Sequence, residues 1–217
     1  MRKIMLLELE KQVLELYRKA DSAVSRYRSA AGLFCPTGCV ECCRSKKVEA
    51  TVLEMVPLAF HLFRTNQAEL LIKRMEREEG VECILFRADL LGSLGGGCSQ
   101  YSHRALVCRL FGFAGNNDRN GVARLALCRV MRESLKREND RFESPYLPIF
   151  QMYGLAITAL HPSLGARRLP INQALLQALL KIGLAIDLGE LCLTPKNIDF
   201  PDDTPDTRPF SPNRRAA

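Results

Sequence analysis

The stretch Cys35-Pro-Thr-Gly-Cys39-Val-Glu-Cys42-Cys43 carries four of the nine cysteines in the chain. Its spacings of three and two residues let successive sulfurs turn towards one centre, as in many zinc and iron–sulfur loops. Gly38 supplies a permissive backbone position within this loop. Free thiols crowded in this way oxidise and mispair, so we expect something to hold them. Because Cys42 and Cys43 are adjacent, we expect them to point differently, towards two centres or two corners of one.

The composition limits the partners that the chain is expected to have. A length of 217 residues with 47% hydrophobic residues is typical of one globular domain with appendages. The formal net charge of +7 counts every cysteine as neutral. Eight thiolates with two divalent ions would remove eight charges and return four, which leaves +3. A [4Fe–4S]²⁺ core on four thiolates would remove four and return two, which leaves +5. The charge is therefore weak evidence for a nucleic-acid partner, and we consider one unlikely.

The cysteines are expected to stay reduced. The first seven residues briefly resemble the start of a signal peptide, but Glu8 and Glu10 interrupt the apolar run and no small-residue cleavage site follows. No stretch reaches the roughly 18 apolar residues of a membrane span. These features predict a cytoplasmic protein without membrane association, in which cysteines serve as metal ligands rather than in disulfides.

The predicted fold is mainly α with a small β-hairpin region, and an irregular cysteine-rich metal-binding core is wrapped by helices. We divide the chain into an N-terminal amphipathic helix (1–34), the cysteine-cluster core (35–131), C-terminal helices packing on the core (132–193) and a Pro-rich tail (194–217). The long helix spans residues 2 to 31, and Gly32 ends it. Its apolar residues recur every three or four positions, at Leu6, Leu9, Val13, Leu16, Ala20, Val24, Tyr27 and Ala31.

That first helix has two interpretations. Its apolar stripe is favoured to pack on its own domain, because its small alanines suit close packing against a neighbouring element. The alternative is a protein partner, or a second copy, that pairs with this helix. Partners and oligomeric state are otherwise unknown from the sequence.

Several shorter elements follow. Thr51 with Glu54 forms a capping box at a helix that Pro57 should kink or divide. His61 falls in the apolar run of that helix, so packing is favoured over metal ligation. A second helix is predicted from Gln67 to Glu79, and Cys83 begins a short strand. Further predictions are a Gly-rich flexible connection at 92–97, a hairpin turn at 116–121, a helix from Met131 to about Asp140 and an apolar helix over 149–160.

The last predicted helix begins at Asn172 and is apolar on one face. Its leucines at that face are Leu175, Leu176, Leu179, Leu180 and Leu184. Cys192, which follows the helix, stands apart from the other cysteines in sequence. We interpret Cys192 as a small buried apolar residue rather than a ligand. The remaining eight thiols are the predicted metal ligands: Cys35, Cys39, Cys42, Cys43, Cys83, Cys98, Cys108 and Cys128.

The dispersed cysteine elements resemble a known family when taken in order. These are the Cys-x₃-Cys-x₂-Cys-Cys start, the isolated Cys83-Ile-Leu, Cys98-Ser-x-Tyr101 and Arg104-x-x-x-Cys108-Arg109-x-Phe111. Together they resemble the YkgJ-type cysteine-cluster family, described as zinc- or iron-chelating and related to the flagellin lysine methylases. The resemblance covers roughly residues 35 to 128. It implies a bound metal centre, and the methylase relatives suggest an iron–sulfur cluster.

Two departures from the family pattern are visible. The first cysteine spacing is three residues where two is commoner, and the familiar Arg-Pro is Arg104-Ala105 here. Neither departure removes a thiol. The segment Cys35-x₃-Cys39-x₂-Cys42 also has the ligand spacing of radical S-adenosylmethionine enzymes. A long helix precedes it and no βα alternation follows, so the ordinary architecture of those enzymes is disfavoured.

The metal is predicted from the distribution of the thiols. Softness alone suits zinc and iron–sulfur clusters equally. Closed zinc sites usually pair two Cys-x₂₋₄-Cys knuckles, whereas this chain has one dense group followed by single cysteines. An iron–sulfur cluster, [4Fe–4S] in particular, is therefore favoured, with zinc as the alternative. Which thiols share a centre stays open.

Four other side chains near Cys108 have two interpretations. Arg104 and Arg109 could tune a cluster through hydrogen bonds, and Tyr101 and His103 could move protons. The favoured interpretation is structural, with arginines in ion pairs and a packed tyrosine. We predict a metal-binding protein, with an iron–sulfur redox or methyl-transfer enzyme and a zinc-stabilised interaction adaptor as alternatives. No catalytic residue is predicted.

Overall fold

The computed structural model describes residues 2–35, 39–45, 47–77, 80, 82–89, 96–135 and 146–193. Several predictions fall outside these ranges. They are the permissive Gly38, residues 92–95 of the Gly-rich connection, the ends of the helices predicted to reach Glu79 and Asp140, and the Pro-rich tail.

The described chain is mainly helical. Its helices are α1 (Arg2–Ala31), α2 (Glu41–Arg44), α3 (Val52–Arg64), α4 (Ala68–Arg77), α5 (Leu106–Leu110), α6 (Arg129–Leu135), α7 (Phe150–Leu160), α8 (Pro162–Gly165) and α9 (Ile171–Asp187), with a 3₁₀ turn at Tyr101–His103. Its strands are β1 (Glu49–Thr51), β2 (Phe86–Arg87), β3 (Gly97–Cys98), β4 (Gly115–Asn117), β5 (Ala123–Leu125) and β6 (Arg168–Pro170). They form three antiparallel two-stranded pairs, β1–β6, β2–β3 and β4–β5. The predicted fold class, mainly α with a small β region, is confirmed.

The long first helix packs on its own domain, as favoured. Its buried stripe contacts α3, α5 and α7, and Gly32 ends it with a positive φ of 63°. Glu10 on the same helix is buried and forms a two-pronged ion pair with Arg64 of α3, with Nη2 2.8 Å from Oε2. Such paired hydrogen bonds fix the orientation of one helix on another. The buried stripe consists of Leu6, Leu9, Val13, Tyr17, Ala20, Val24 and Tyr27.

Helix α3 lies at the centre of the core, against α1 and α9. The predicted capping box is present, because Thr51 Oγ1 accepts from the Glu54 N–H and Glu54 Oε1 accepts from the Thr51 N–H. Pro57 does not divide the helix, which runs unbroken to Arg64, so the prediction of a division was wrong. The Tyr17 hydroxyl donates to the Glu54 carbonyl, three residues before the proline. Nearly every turn of α3 is buried, and this burial stabilises the helix although Pro57 has no N–H to donate.

Helix α9 forms where predicted but buries a different face. Its buried residues are Ala174, Leu175, Ala178, Leu179, Ile182 and Ala185. Leu180 and Leu184, predicted to lie on the buried face, are 54% and 59% exposed. The small alanines allow α9 to approach α3 closely, so the buried face combines alanines with Leu175 and Leu179 and does not extend to Leu180 and Leu184. Among the described helices, none is both long and apolar enough to cross a membrane.

Candidate metal centre

The eight predicted ligands lie on loops and short elements around one end of the helical core. Cys35 follows the end of α1, and Cys39 precedes α2, which itself carries Cys42 and Cys43. The other four come singly from later segments. Cys83 lies in the turn before β2, Cys98 in β3, Cys108 in α5 and Cys128 just before α6.

Backbone hydrogen bonds bring three of these segments together. The Cys83 N–H donates to the Cys43 carbonyl at 2.9 Å. The Phe86 N–H then donates to the Cys83 carbonyl at 2.9 Å, and Phe86 pairs with Cys98 across the β2–β3 ladder. Residues 40 positions apart in the chain are therefore held side by side by main-chain hydrogen bonds.

The thiols of the first segment influence one another's titration. The Cys39 thiol raises the pKa of Cys35, and the Cys42 and Cys43 thiols shift each other's pKa in opposite directions. The Cys43 thiol lowers the pKa of Cys42 to about 7, and the same interaction raises the pKa of Cys43 far above its ordinary value. This adjacent pair therefore gives up its first proton readily and its second with difficulty.

Three of the later thiols have raised pKa values because burial removes their hydration. Burial raises the pKa of Cys83 to about 11, and it raises the pKa of Cys98 and, strongly, of Cys108. Negative charge on Cys42 adds to the increase at all three of these cysteines. Cys42 thus lies close enough to three separate segments to act on them electrostatically.

Cys35 and Cys128 connect the remaining segments. Loss of hydration raises the pKa of Cys35 to about 12 although part of the residue is exposed, and the thiols of Cys39, Cys42 and Cys128 raise it further. Cys128 Sγ accepts a hydrogen bond from the Met131 N–H at 3.4 Å, at the first turn of α6. Through these contacts each of the eight predicted thiols neighbours at least one other.

The donor set fits a soft cation. All nine cysteines are free thiols. Neighbouring thiolates repel one another, which raises their pKa values, and a bound cation would remove that repulsion. Within the described ranges, no three His, Cys, Asp or Glu side chains stand in an arrangement that would hold a metal as they are. Thiols whose pKa values are raised would have to lose their protons before they could coordinate a metal. The assignment of the eight ligands therefore stays a prediction.

Cys192 departs from its prediction in one respect. It is exposed rather than buried, because the neighbouring Leu191 occupies the apolar position beside the core after α9 ends. The pKa shifts of the other thiols do not involve it. Its exclusion from the ligand set stays a prediction.

The arginines beside Cys108 have the structural role that was favoured. Arg109 is buried, pairs with Asp21 of α1, donates from Nε to the Arg104 carbonyl at 3.0 Å and lies 4.4 Å above the Tyr17 ring. Arg104 approaches the same Asp21 at 4.0 Å and covers Tyr101, which is 48% exposed rather than packed in the core. Arg104 also lowers the pKa values of Cys42 and Cys98 slightly, against the other effects on them.

His61 and His103 form a stacked pair, with ring centroids 3.8 Å apart and planes 24° from parallel. His103 is buried, and the pKa of its imidazole falls to about 3 because of burial, then His61 and Arg109. Burial also lowers the pKa of His61. Both rings are therefore neutral at pH 7, and His61 is a packed residue, as favoured.

The sequence did not reveal that two residues, Asp21 and Glu54, support the site through long-range contacts. Asp21 anchors Arg109, and Glu54 Oε2 accepts from the Val107 N–H at 3.3 Å, one residue before Cys108. Glu54 was found only as a capping residue. Both contacts join residues more than 50 positions apart, and no local pattern signals them.

Residues 34–138 match the CxxCxxCC family, described as a putative zinc- or iron-chelating domain. The chain contains a CxxCxxCC domain. The matched range spans all eight predicted ligands, and the suspected cysteine-cluster family is thereby confirmed. Chelation of zinc or iron is the property assigned to CxxCxxCC domains. No curated protein and no solved structure matches the chain.

Metal binding by the CxxCxxCC domain is expected to release protons. The thiols with raised pKa values are protonated at pH 7 and must lose those protons to coordinate. Affinity should therefore rise with pH between about 6 and 9, the range of a practical titration, and up to about four protons should leave per four-thiolate zinc site. Calorimetry of zinc binding in buffers of different ionisation enthalpy measures this number. Release of fewer than one proton per zinc would contradict thiol coordination.

Proposed function

We propose that this protein is a metal-binding protein whose eight cysteines, Cys35, Cys39, Cys42, Cys43, Cys83, Cys98, Cys108 and Cys128, hold an iron–sulfur cluster of the [4Fe–4S] type. Zinc is the alternative metal. The observation that carries the proposal is the meeting of Cys43, Cys83 and Cys98 through main-chain hydrogen bonds, with Cys42 as the common electrostatic neighbour.

The distribution of the thiols supports a cluster over paired zinc knuckles. Only the first segment supplies closely spaced cysteines, and the other four sulfurs come one at a time from a turn, a strand, a short helix and a helix start. A cluster bonded through several irons accepts such separate donors. When bound, it would supply a redox-active centre; four of the eight thiols would be its ligands, and the other four would suffice for a second, structural site.

The polypeptide around the thiols supports a centre of fixed shape. Asp21 holds Arg109, and Glu54 holds the Val107 N–H, so two residues of α1 and α3 position α5 and with it Cys108. Arg104, which is near Cys42 and Cys98, places positive charge beside the predicted thiolates. Positive charge and hydrogen bonds near sulfur stabilise a negatively charged metal–thiolate centre.

Anaerobic purification tests the proposal and separates the two metals. A [4Fe–4S] cluster predicts iron and acid-labile sulfide in equal amounts, with broad absorbance near about 400 nm. Zinc without sulfide would support the alternative and contradict the cluster. Parallel growth in iron-supplemented and zinc-supplemented medium controls for metal supply. Protein that contains neither metal from either medium would contradict metal binding.

A further inference from the structure

A cavity of about 150 Å³ lies between the start of α3, α5, α7 and β6, away from the first cysteine segment. Val107 of α5 contributes to its wall, so the cavity adjoins the residue next to Cys108. A volume of this size accommodates a molecule of about six non-hydrogen atoms. Tyr153 and Thr158 also line the cavity, and the Thr158 hydroxyl donates to the Gly154 carbonyl at 3.0 Å.

One wall carries a buried carboxylate. Glu54 is only 3% exposed, and its oxygens accept one backbone hydrogen bond each, from Thr51 at 3.1 Å and from Val107 at 3.3 Å. A carboxylate oxygen can accept two hydrogen bonds, so acceptor capacity remains. A buried carboxylate is favourable only with compensating charge or donors, and a cationic ligand would supply them.

The opposite charge lies on the same lining. Arg168, the first residue of β6, is exposed, and its Nη2 lies 3.7 Å from the position that a Cβ on Gly154 would occupy. Arg168 acts on Glu54 electrostatically, yet in the part of the chain that the structure describes the two form no direct ion pair. The lining therefore contains a buried acidic residue, Glu54, and an exposed basic residue, Arg168.

We propose that this cavity binds a small amino acid, with its ammonium group on the Glu54 carboxylate and its own carboxylate on the Arg168 guanidinium. Glycine and alanine, with five and six non-hydrogen atoms, fit a cavity of this size. A simple anion would be repelled by Glu54 and a simple cation by Arg168, so only a molecule with both charges pairs favourably with both lining residues. A guanidinium binds a carboxylate through two parallel hydrogen bonds, which adds orientation to affinity.

Calorimetry of the metal-loaded, full-length protein with glycine and L-alanine tests this site. Acetate and methylammonium serve as the two half-molecule probes, and L-phenylalanine tests the size limit. Arg168→Gln removes the carboxylate partner from an exposed position, and Arg167→Gln is the matched control because Arg167 is also exposed and lies outside the lining. Ala166→Phe places a bulky side chain at a second exposed position that does line the cavity.

We expect saturable binding of glycine or alanine that Arg168→Gln weakens by about tenfold or more. Ala166→Phe should abolish this binding, and Arg167→Gln should leave it unchanged. All three variants should retain their metal. The proposal is overturned if neither amino acid binds, if acetate or methylammonium binds as tightly as glycine, if phenylalanine binds as well as alanine, or if the two arginine variants behave alike.

Discussion

Cys42→Ser is expected to remove most of the bound metal. Cys42 neighbours thiols from three later segments as well as Cys43, so its loss affects the whole set. Replacing a group that merely supports a ligand costs roughly 10–100-fold in metal affinity, and loss of a ligand should cost more. Metal analysis of the anaerobically purified variant provides the measurement. Cys39→Ser, in the same dense segment, is expected to show a similar loss.

Cys192→Ser is the matched control for these two variants. Cys192 is exposed beyond the end of α9, so its serine variant should keep the full metal content. Wild-type metal content in both Cys39→Ser and Cys42→Ser would contradict the ligand assignment. A large loss in Cys192→Ser would show that the wrong cysteine was excluded from the set.

Asp21→Ala is expected to destabilise the protein by about 2–3 kcal/mol, because it leaves a buried guanidinium without its carboxylate. Arg109 keeps its bonds to the carbonyls of Ser102 and Arg104, and Asp21 itself is 35% exposed, so the cost lies below that of a fully buried pair. Urea denaturation of the variant and the wild type, followed by circular dichroism, gives the difference in unfolding free energy.

A second aspartate–arginine pair serves as the control for Asp21→Ala. Asp89 and Arg87 form an ion pair with both side chains at least half exposed, and pairs of this kind often contribute nothing measurable to stability. Asp89→Ala should therefore leave the urea midpoint unchanged. Equal effects of the two substitutions would contradict the role assigned to Asp21 in holding Arg109 and α5.

The features that were predictable from the sequence are those encoded locally. The period of apolar residues and Gly32 are sufficient to predict α1, and the Thr51–Glu54 spacing is sufficient to predict the start of α3. The turn that joins β4 to β5, where Asp118 accepts from the N–H groups of Asn120 and Val122, also follows from local composition.

The features that were not predictable depend on packing. Whether Pro57 divides α3 depends on the burial around it, and the buried face of α9 depends on where small alanines meet α3. Cysteine spacing indicated a metal site but not the neighbours of Cys83 and Cys98, because their positions follow from hydrogen bonds between distant segments. Likewise, a carboxylate at a helix start gives no sign that it will also hold Val107 in another helix.

X-ray absorption at the metal edge of the anaerobically purified protein tests the central claim most directly. Convergence of the thiols predicts a first shell made of sulfur, at about 2.3 Å for iron or zinc thiolates, with a second metal–metal shell if the metal is a cluster. A first shell of nitrogen and oxygen alone would contradict the account.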